Sequence, residues 1–387
     1  MRIINGLIYR PDGEFKSGTL EINGDVISGV SDFVCSFDDD EVIDAQGMFI
    51  IPGLTDIHFH GCMGYDLCDG DVTALKAIAS YQARNGITSI CPATMTLAPD
   101  RIIKILKCSR DFRELNLNGC AELVGINLEG PFISPTKCGA QDPKFAIKPD
   151  INLFAEFYKA SEKLIKICCI APELDGAIDF IKQLRKNFNN VRVSLAHTCA
   201  DYDTALKAFN AGLNHITHLY NAMNPITHRS PGPILAAADF NDLNQAVMAE
   251  LICDGVHVHA AAIRNVFRLF NNNIIMISDS LRATGMPDGE YELGGQIFIK
   301  RGNKACLKKS PETLAGSVSN LMDCLRFAVK NNIINLEQAV KCAAVNPAMA
   351  INIYDKFGSI EPGKTANLVL LNKKLEIAKV FVRGKIL

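Results

Sequence analysis

Two kinds of apolar pattern divide this chain. At both ends, short alternating apolar–polar runs are punctuated by turn dipeptides. Residues 2–9 contain Asn5-Gly6 and residues 19–30 contain Asn23-Gly24. Residues 366–371 and 377–382 have the same character and precede Arg383-Gly384. Asn-Gly beside apolar runs is a hairpin signal. Neither end alone has enough strands to bury a sheet face. The pattern therefore predicts that the two ends join into one small β-domain, residues 1–52 and 358–387, flanking a middle region of residues 53–357.

The middle region alternates between continuous apolar runs and helical periodicity. Strands are predicted at 54–60, 87–93, 123–129, 164–172, 191–197, 213–219, 246–253 and 274–279. Helical patterns lie between most of them, at 72–85, 153–163, 177–187, 200–211 and 260–271. Eight β-α units in this length predict an α/β fold, a (β/α)8 TIM-like barrel, with the terminal strands as a β-sandwich. A doubly wound open sheet is the alternative, but no Gly-x-Gly-x-x-Gly turn follows the first strand.

A barrel places its chemistry at the carboxyl ends of its strands. Here those ends carry His58 and His60, Glu129, His197, His218, Asp254 with His257, and Asp279. The chain has only eight histidines, so their concentration at strand ends points to an active site. In Thr55-Asp56-Ile57-His58-Phe59-His60-Gly61 the two imidazoles stand at i and i+2, on one face of a strand. His58, His60, Glu129, His197 and His218 form the candidate metal set. Nitrogen donors with a carboxylate suit Zn2+, and also Fe2+, Co2+ or Mn2+, as one or two ions per chain. A hydrogen-bonded core histidine is the plain alternative at each position, and for His215, three residues before His218, the structural reading is preferred.

Asp279 closes Ile274-Ile275-Met276-Ile277-Ser278-Asp279. A carboxylate beside a metal site can take a proton from water and return it to a leaving group; helix capping is the alternative. Arg229 follows His228 in a loop and either clamps a phosphate or carboxylate or stays solvated. His257 either holds a substrate oxygen or caps and packs.

Composition removes several function classes. The net charge of −2 gives no electrostatic case for nucleic acid or an anionic membrane. No apolar run reaches transmembrane length, and the first residues lack the core of a signal peptide. Fourteen scattered cysteines, several inside apolar runs, read as buried reduced thiols of a cytoplasmic protein.

Pro52-Gly53-Leu54 leading into the His-x-His, and Pro362-Gly363-Lys364 with Ala366-Asn367-Leu368, resemble the amidohydrolase superfamily. Narrower motifs resemble, within it, the N-acetylglucosamine-6-phosphate deacetylase family. They are Leu128-Glu129-Gly130-Pro131-Phe132, His218-Leu219-Tyr220-Asn221-Ala222-Met223, Asp254-Gly255-Val256-His257, Pro287 to Gly295, and Leu314-Ala315-Gly316-Ser317.

The resemblance implies hydrolysis of the acetamide of N-acetylglucosamine 6-phosphate to glucosamine 6-phosphate and acetate. It implies Glu129, His197 and His218 as metal ligands and Asp279 as acid/base. Ala140, Gln141, Asn221, Ala222, Arg229, His257, Leu314, Ala315 and Gly316 match substrate-contacting positions. A homodimer is implied too, with Arg229 reaching the phosphate of substrate in the neighbouring subunit. Gln141 stands where the family usually has histidine; it can donate a neutral hydrogen bond but cannot become cationic. That leaves another N-acetylhexosamine phosphate, such as N-acetylgalactosamine 6-phosphate, as an alternative substrate. A catalytically silent, amidohydrolase-like binding protein is the rival from another class, and the full ligand set argues against it. Amidohydrolases bridged by a carboxylated lysine at the end of the fourth strand are a further rival; Lys166 lies at the start of that strand instead.

Overall fold

Nine parallel strand segments carry the middle of the chain in the computed structural model, which describes residues 1–32, 41–242 and 246–387. Leu54–Asp56, Ile87–Ile90 and Glu122–Leu123 form one parallel sheet. Ile126–Leu128, Ile165–Ile170, Arg192–Leu195, His215–Ile216, Met248–Ile252 and Ile274–Ile277 form another, in that order. An isolated parallel bridge, Ala93 with Asn127, links the two. At the opposite edges the Asp279 N–H donates to the His58 carbonyl at 2.9 Å, a contact between the segments that follow the last and the first strand.

All eight predicted runs contain a strand, but each ladder stops short of its expected carboxyl end. His58 and His60 were expected on a strand spanning 54–60, yet the ladder ends at Asp56. The reason is visible in the backbone: His197 (φ 43°), His218 (φ 27°) and Asp279 (φ 50°) take left-handed conformations, incompatible with a regular ladder. Such strained positions concentrate at functional sites.

Alternate strand residues feed two different cores. Ile167 and Cys169 join Ile57, Ala196, Ile252, Ile275 and Ile277 in one buried cluster. Cys168, Ile170, Leu251, Ile274 and Met276 join the other, under the helices. Period-two side-chain alternation on strands buried on both faces produces this split. The helices include Val72–Arg84, Ile151–Ala160, Ala177–Asn187, Tyr202–Asn210 and Ala260–Phe270, close to the expected spans. Asp71, Asp150 and Asp201 cap three of them through side-chain oxygens, satisfying amide groups of the first turn.

Strands from the two ends of the chain share one sheet. Phe49–Pro52 runs antiparallel to Leu368–Leu371 within one eight-stranded sheet that also holds Arg2–Tyr9, Phe15–Asn23, Val26–Ser31 and Ile377–Val382. Its buried side includes Ile3, Ile8, Leu20, Ile50, Leu368 and Phe381. Asn23-Gly24 does mark a hairpin, whose two-residue turn is Gly24-Asp25 between the paired Asn23 and Val26. Asn5-Gly6 does not: it lies inside Arg2–Tyr9, where the register shifts between Ile3 and Gly6. Asn5 is left-handed (φ 57°), and a Cβ at Gly6 would fall 2.3 Å from Ile50 Cδ1. The dipeptide makes a bulge that lets a neighbouring strand close in.

A three-stranded antiparallel sheet, Gly289–Leu293, Gln296–Arg301 and Lys304–Leu307, follows the last parallel strand. No strand pattern pointed to it. Its alternation is broken by exposed charges, as in the burial of Gly289–Leu293. Of the thirteen described cysteines, eleven are buried and all are free thiols; Cys35 lies outside the described residues. No helix among the described residues is long and apolar enough to cross a membrane.

Candidate metal centre and active site

The five candidate ligands converge at the carboxyl ends of the parallel strands. Glu129 Oε1 lies 2.9 Å from His197 Nε2 and 3.1 Å from His218 Nε2, and the two Nε2 atoms are 3.1 Å apart. His58 Nε2 is 3.4 Å from Glu129 Oε1, and His60 Nε2 is 3.3 Å from Glu129 Oε2. Asp279 Oδ1 closes the ring, 3.5 Å from His60 Nε2 and 3.8 Å from His58 Nε2. Every one of these side chains is buried.

Two of the four imidazoles are oriented from behind. His197 Nδ1 meets the Lys137 carbonyl at 2.8 Å. His58 Nδ1 meets Glu250 Oε2 at 2.8 Å. Partners at Nδ1 put the proton there and leave Nε2 free to ligate. Glu129 is held by the sharp turn after it: Gly130 has φ 87°, and a Cβ there would fall 2.1 Å from Thr96 Oγ1.

The residues present fit a divalent cation. His58 Nε2 and Glu129 Oε2 are buried with no hydrogen-bond partner, an arrangement that is costly unless something binds there. Donors at about 2.0–2.1 Å from one tetrahedral ion stand about 3.3 Å apart, close to the spacing of the Glu129, His197 and His218 atoms. Two donor groups share His58: His58 with His60 and Asp279, and His58 with Glu129 and His218.

The electrostatics agree. Burial disfavours a proton on His58, but Glu250 and Glu129 override it and push its pKa well above the ordinary value. Burial likewise opposes a proton on His60, yet Asp279 and Glu129 push it up to about 10. Burial would raise Glu129, but the charge of His58 and hydrogen bonds from His197 and His218 hold it well below the carboxylate range. Carboxylates this deeply placed require positive charge beside them, whether carried by imidazolium protons or by a metal.

A cavity of about 390 Å3 opens over the cluster. Ala140, Gln141, Asn221, Ala222, His257, Leu314, Ala315 and Gly316 line it. Gln141 is locked: its Oε1 accepts the Thr96 N–H at 2.6 Å while Nε2 lies 3.4 Å from His197 Nε2. His257 Nδ1 bonds Asp254 Oδ2 at 2.7 Å, and Nε2 has no partner. Arg229 lies in an exposed loop away from this lining. His215 sits beneath the site, its Nδ1 2.9 Å from Ser194 Oγ. His259 caps the helix Ala260–Phe270.

Sequence reasoning missed Glu250. It lies inside an apolar run, Met248–Ile252, and no spacing ties it to His58, 192 residues away. It also missed Met95, Lys137 and Leu293 in the cavity wall. Leu293 belongs to the inserted antiparallel sheet, which is tied to the Ala140–Gln141 loop by Gln296 Nε2 donating to the Ala140 carbonyl at 2.6 Å.

The profile of the amidohydrolase family matches residues 49–387. The chain belongs to the amidohydrolase family. Among curated amidohydrolase relatives, the N-acetylglucosamine-6-phosphate deacetylase of Bacillus subtilis is 36% identical over 377 residues, covering 96% of this chain and 93% of that one. The N-acetylgalactosamine-6-phosphate deacetylase of Escherichia coli O157:H7 is 30% identical, covering 97% and 96%. Among solved structures, the N-acetyl-D-glucosamine-6-phosphate deacetylase of Mycobacterium smegmatis superposes with a TM-score of 0.90 at 29% identity, covering 100% of both chains. That of Pasteurella multocida superposes with a TM-score of 0.92 at 25% identity, covering 100% and 99%.

Proposed function

We propose that this amidohydrolase hydrolyses the acetamide of N-acetylglucosamine 6-phosphate, releasing acetate and glucosamine 6-phosphate. The observation that carries the reading is the ring of Glu129, His197, His218, His58 and His60 with Asp279 at its edge, at the base of a cavity of sugar size. Relatives named for this activity match the chain almost end to end. The two parallel sheets read as arcs of one (β/α)8 barrel, residues 53–357. The split of alternate residues between two cores supports that reading. Residues 1–52 and 358–387 read as a β-sandwich domain beside it.

Glu129, His197 and His218 would hold one divalent ion, zinc or iron, and His58 with His60 a second. Such an ion supplies Lewis acidity that makes water a nucleophile and polarises a carbonyl. Asp279 takes the proton of the attacking water and delivers it to the departing amine nitrogen. Burial opposes a charge on His257, but Asp254 raises its pKa, so its Nε2–H is available to a substrate oxygen. Gln141 offers a neutral donor at the wall, with its own oxygen already committed to Thr96.

Arg229 is exposed, and a second subunit in a homodimer would let it reach substrate phosphate in its neighbour. The protein is read as cytoplasmic, with no nucleic-acid or membrane partner. The E. coli relative named for N-acetylgalactosamine 6-phosphate keeps that sugar as a second reading. Acetate release measured across the glucosamine, galactosamine and mannosamine substrates, with zinc, iron, cobalt and manganese, tests the proposal. Metal-dependent release with the glucosamine substrate highest is expected. No release from any substrate would overturn it.

A further inference from the structure

A second cavity, of about 340 Å3, lies at the other end of the parallel strands. Its wall includes Glu122, Leu123 and Val124, just before Ile126–Leu128, and Lys163 and Lys166, at the start of Ile165–Ile170. Strands rise about 3.3 Å per residue, so the catalytic ends stand on the order of 15 Å away.

The charge of this cavity departs from that of the chain. Arg113, Lys163, Lys166, Lys356 and Arg383 line it, against two carboxylates, Glu122 and Asp355. The whole protein carries a net charge of −2. None of the five cations forms an ion pair among the described residues, whereas Lys144 pairs with Asp142.

Two features of the floor are prearranged. The Arg383 guanidinium is held by Asn116 Oδ1 and the Leu117 carbonyl, which fixes its plane. Glu122 Oε1 is buried with no hydrogen-bond partner. Burial pushes the Glu122 carboxyl up, an effect that Arg383 and the Asn367 side chain only partly offset. Fixed cations around a concavity focus field and select phosphate. An orphaned acceptor beside them selects a donor on the same ligand.

We propose that this cavity is a second binding site, for a small organic phosphate carrying an amine or hydroxyl that donates to Glu122. The cations hold the phosphate, and Glu122 distinguishes the remainder of the ligand. The site is independent of the catalytic reading, because no residue is shared between them.

Binding of glucosamine 6-phosphate, glucose 6-phosphate and inorganic phosphate to the metal-loaded protein, by calorimetry, tests this. The expected result is a class of sites lost at least tenfold in affinity in the Arg113→Gln/Lys356→Gln double variant, with acetate release unchanged. Glu122→Gln is expected to keep that class but lose its preference for the amino sugar over inorganic phosphate. If every class of sites is unaltered in the double variant, or no class exists beyond the catalytic one, the proposal is overturned. Failure of the deacetylase activity alone leaves the variant-sensitive class in place, so the two readings are separable.

Discussion

His58 Nδ1 lies 2.8 Å from Glu250 Oε2, with both side chains fully buried. The same oxygen accepts the His218 backbone N–H at 3.2 Å. One carboxylate therefore fixes the ring of one candidate ligand and the peptide of another. Losing such a support typically weakens metal binding or activity by about 10–100-fold. Glu250→Ala is expected to lose metal affinity in that range, measured by chelator competition. Native affinity in a folded Glu250→Ala protein would refute the role.

His58 belongs to both donor groups, and His60 to only one of them. Replacing His60 should therefore empty one position and spare the other. His60→Gln is expected to bind close to one metal equivalent per chain where the parent loads more than one. Elemental analysis of the purified proteins decides it. Equal metal content in both would place His60 outside the ligand set.

Much of this site was legible because chemistry concentrates at the carboxyl ends of parallel strands, and strand ends can be found from apolar runs. His58, His60, Glu129, His197, His218 and Asp279 each follow such a run, and they meet in space. What was not legible depends on pairing between distant segments. Glu250 looks like an anomaly in an apolar strand until its partner His58 is brought beside it. The ladder ends were misplaced for a local reason: left-handed conformations at His197, His218 and Asp279 have no signature in residue type. The Gly289–Leu307 sheet, whose strand faces carry charges at irregular spacing, offers no clean period to detect. Asn5-Gly6 shows the reverse case, a strong turn signal that the fold uses as a bulge because Ile50 packs against Gly6.

His215 is fully buried between Ser194 and Glu250, its Nε2 3.7 Å from Glu250 Oε1. Burial pushes its pKa down to about 4, only partly offset by Glu250. An unfolded histidine titrates near pH 6.5, so between these values the unfolded chain binds the extra proton. The stability contribution is present above about pH 6.5 and is lost as pH falls toward 4, costing about 2 kcal/mol between pH 7 and pH 5. Urea denaturation of the parent and His215→Gln at both pH values is expected to show that window only in the parent. Parallel pH dependence in the two proteins would contradict it.

Asp279 is the group on which turnover should depend most sharply. Burial would raise its pKa, but the hydrogen bond from His60 and the charges of His58, His60 and His218 bring it below the usual value. It is therefore ionised at neutral pH and able to accept a proton from water. Asp279→Asn keeps the shape and a hydrogen-bonding oxygen but removes the basic site. Glu129, His197 and His218 are untouched, so at least the one metal equivalent they would hold should remain. Loss of a positioned acid/base typically costs about 10²–10⁴-fold in rate, and a decrease of that size in acetate release is expected. Because metal content and turnover are measured on the same preparation, the two explanations for a slow variant separate. Turnover falling only in proportion to lost metal would make Asp279 a ligand and not the proton carrier, and undiminished turnover would remove it from the reaction.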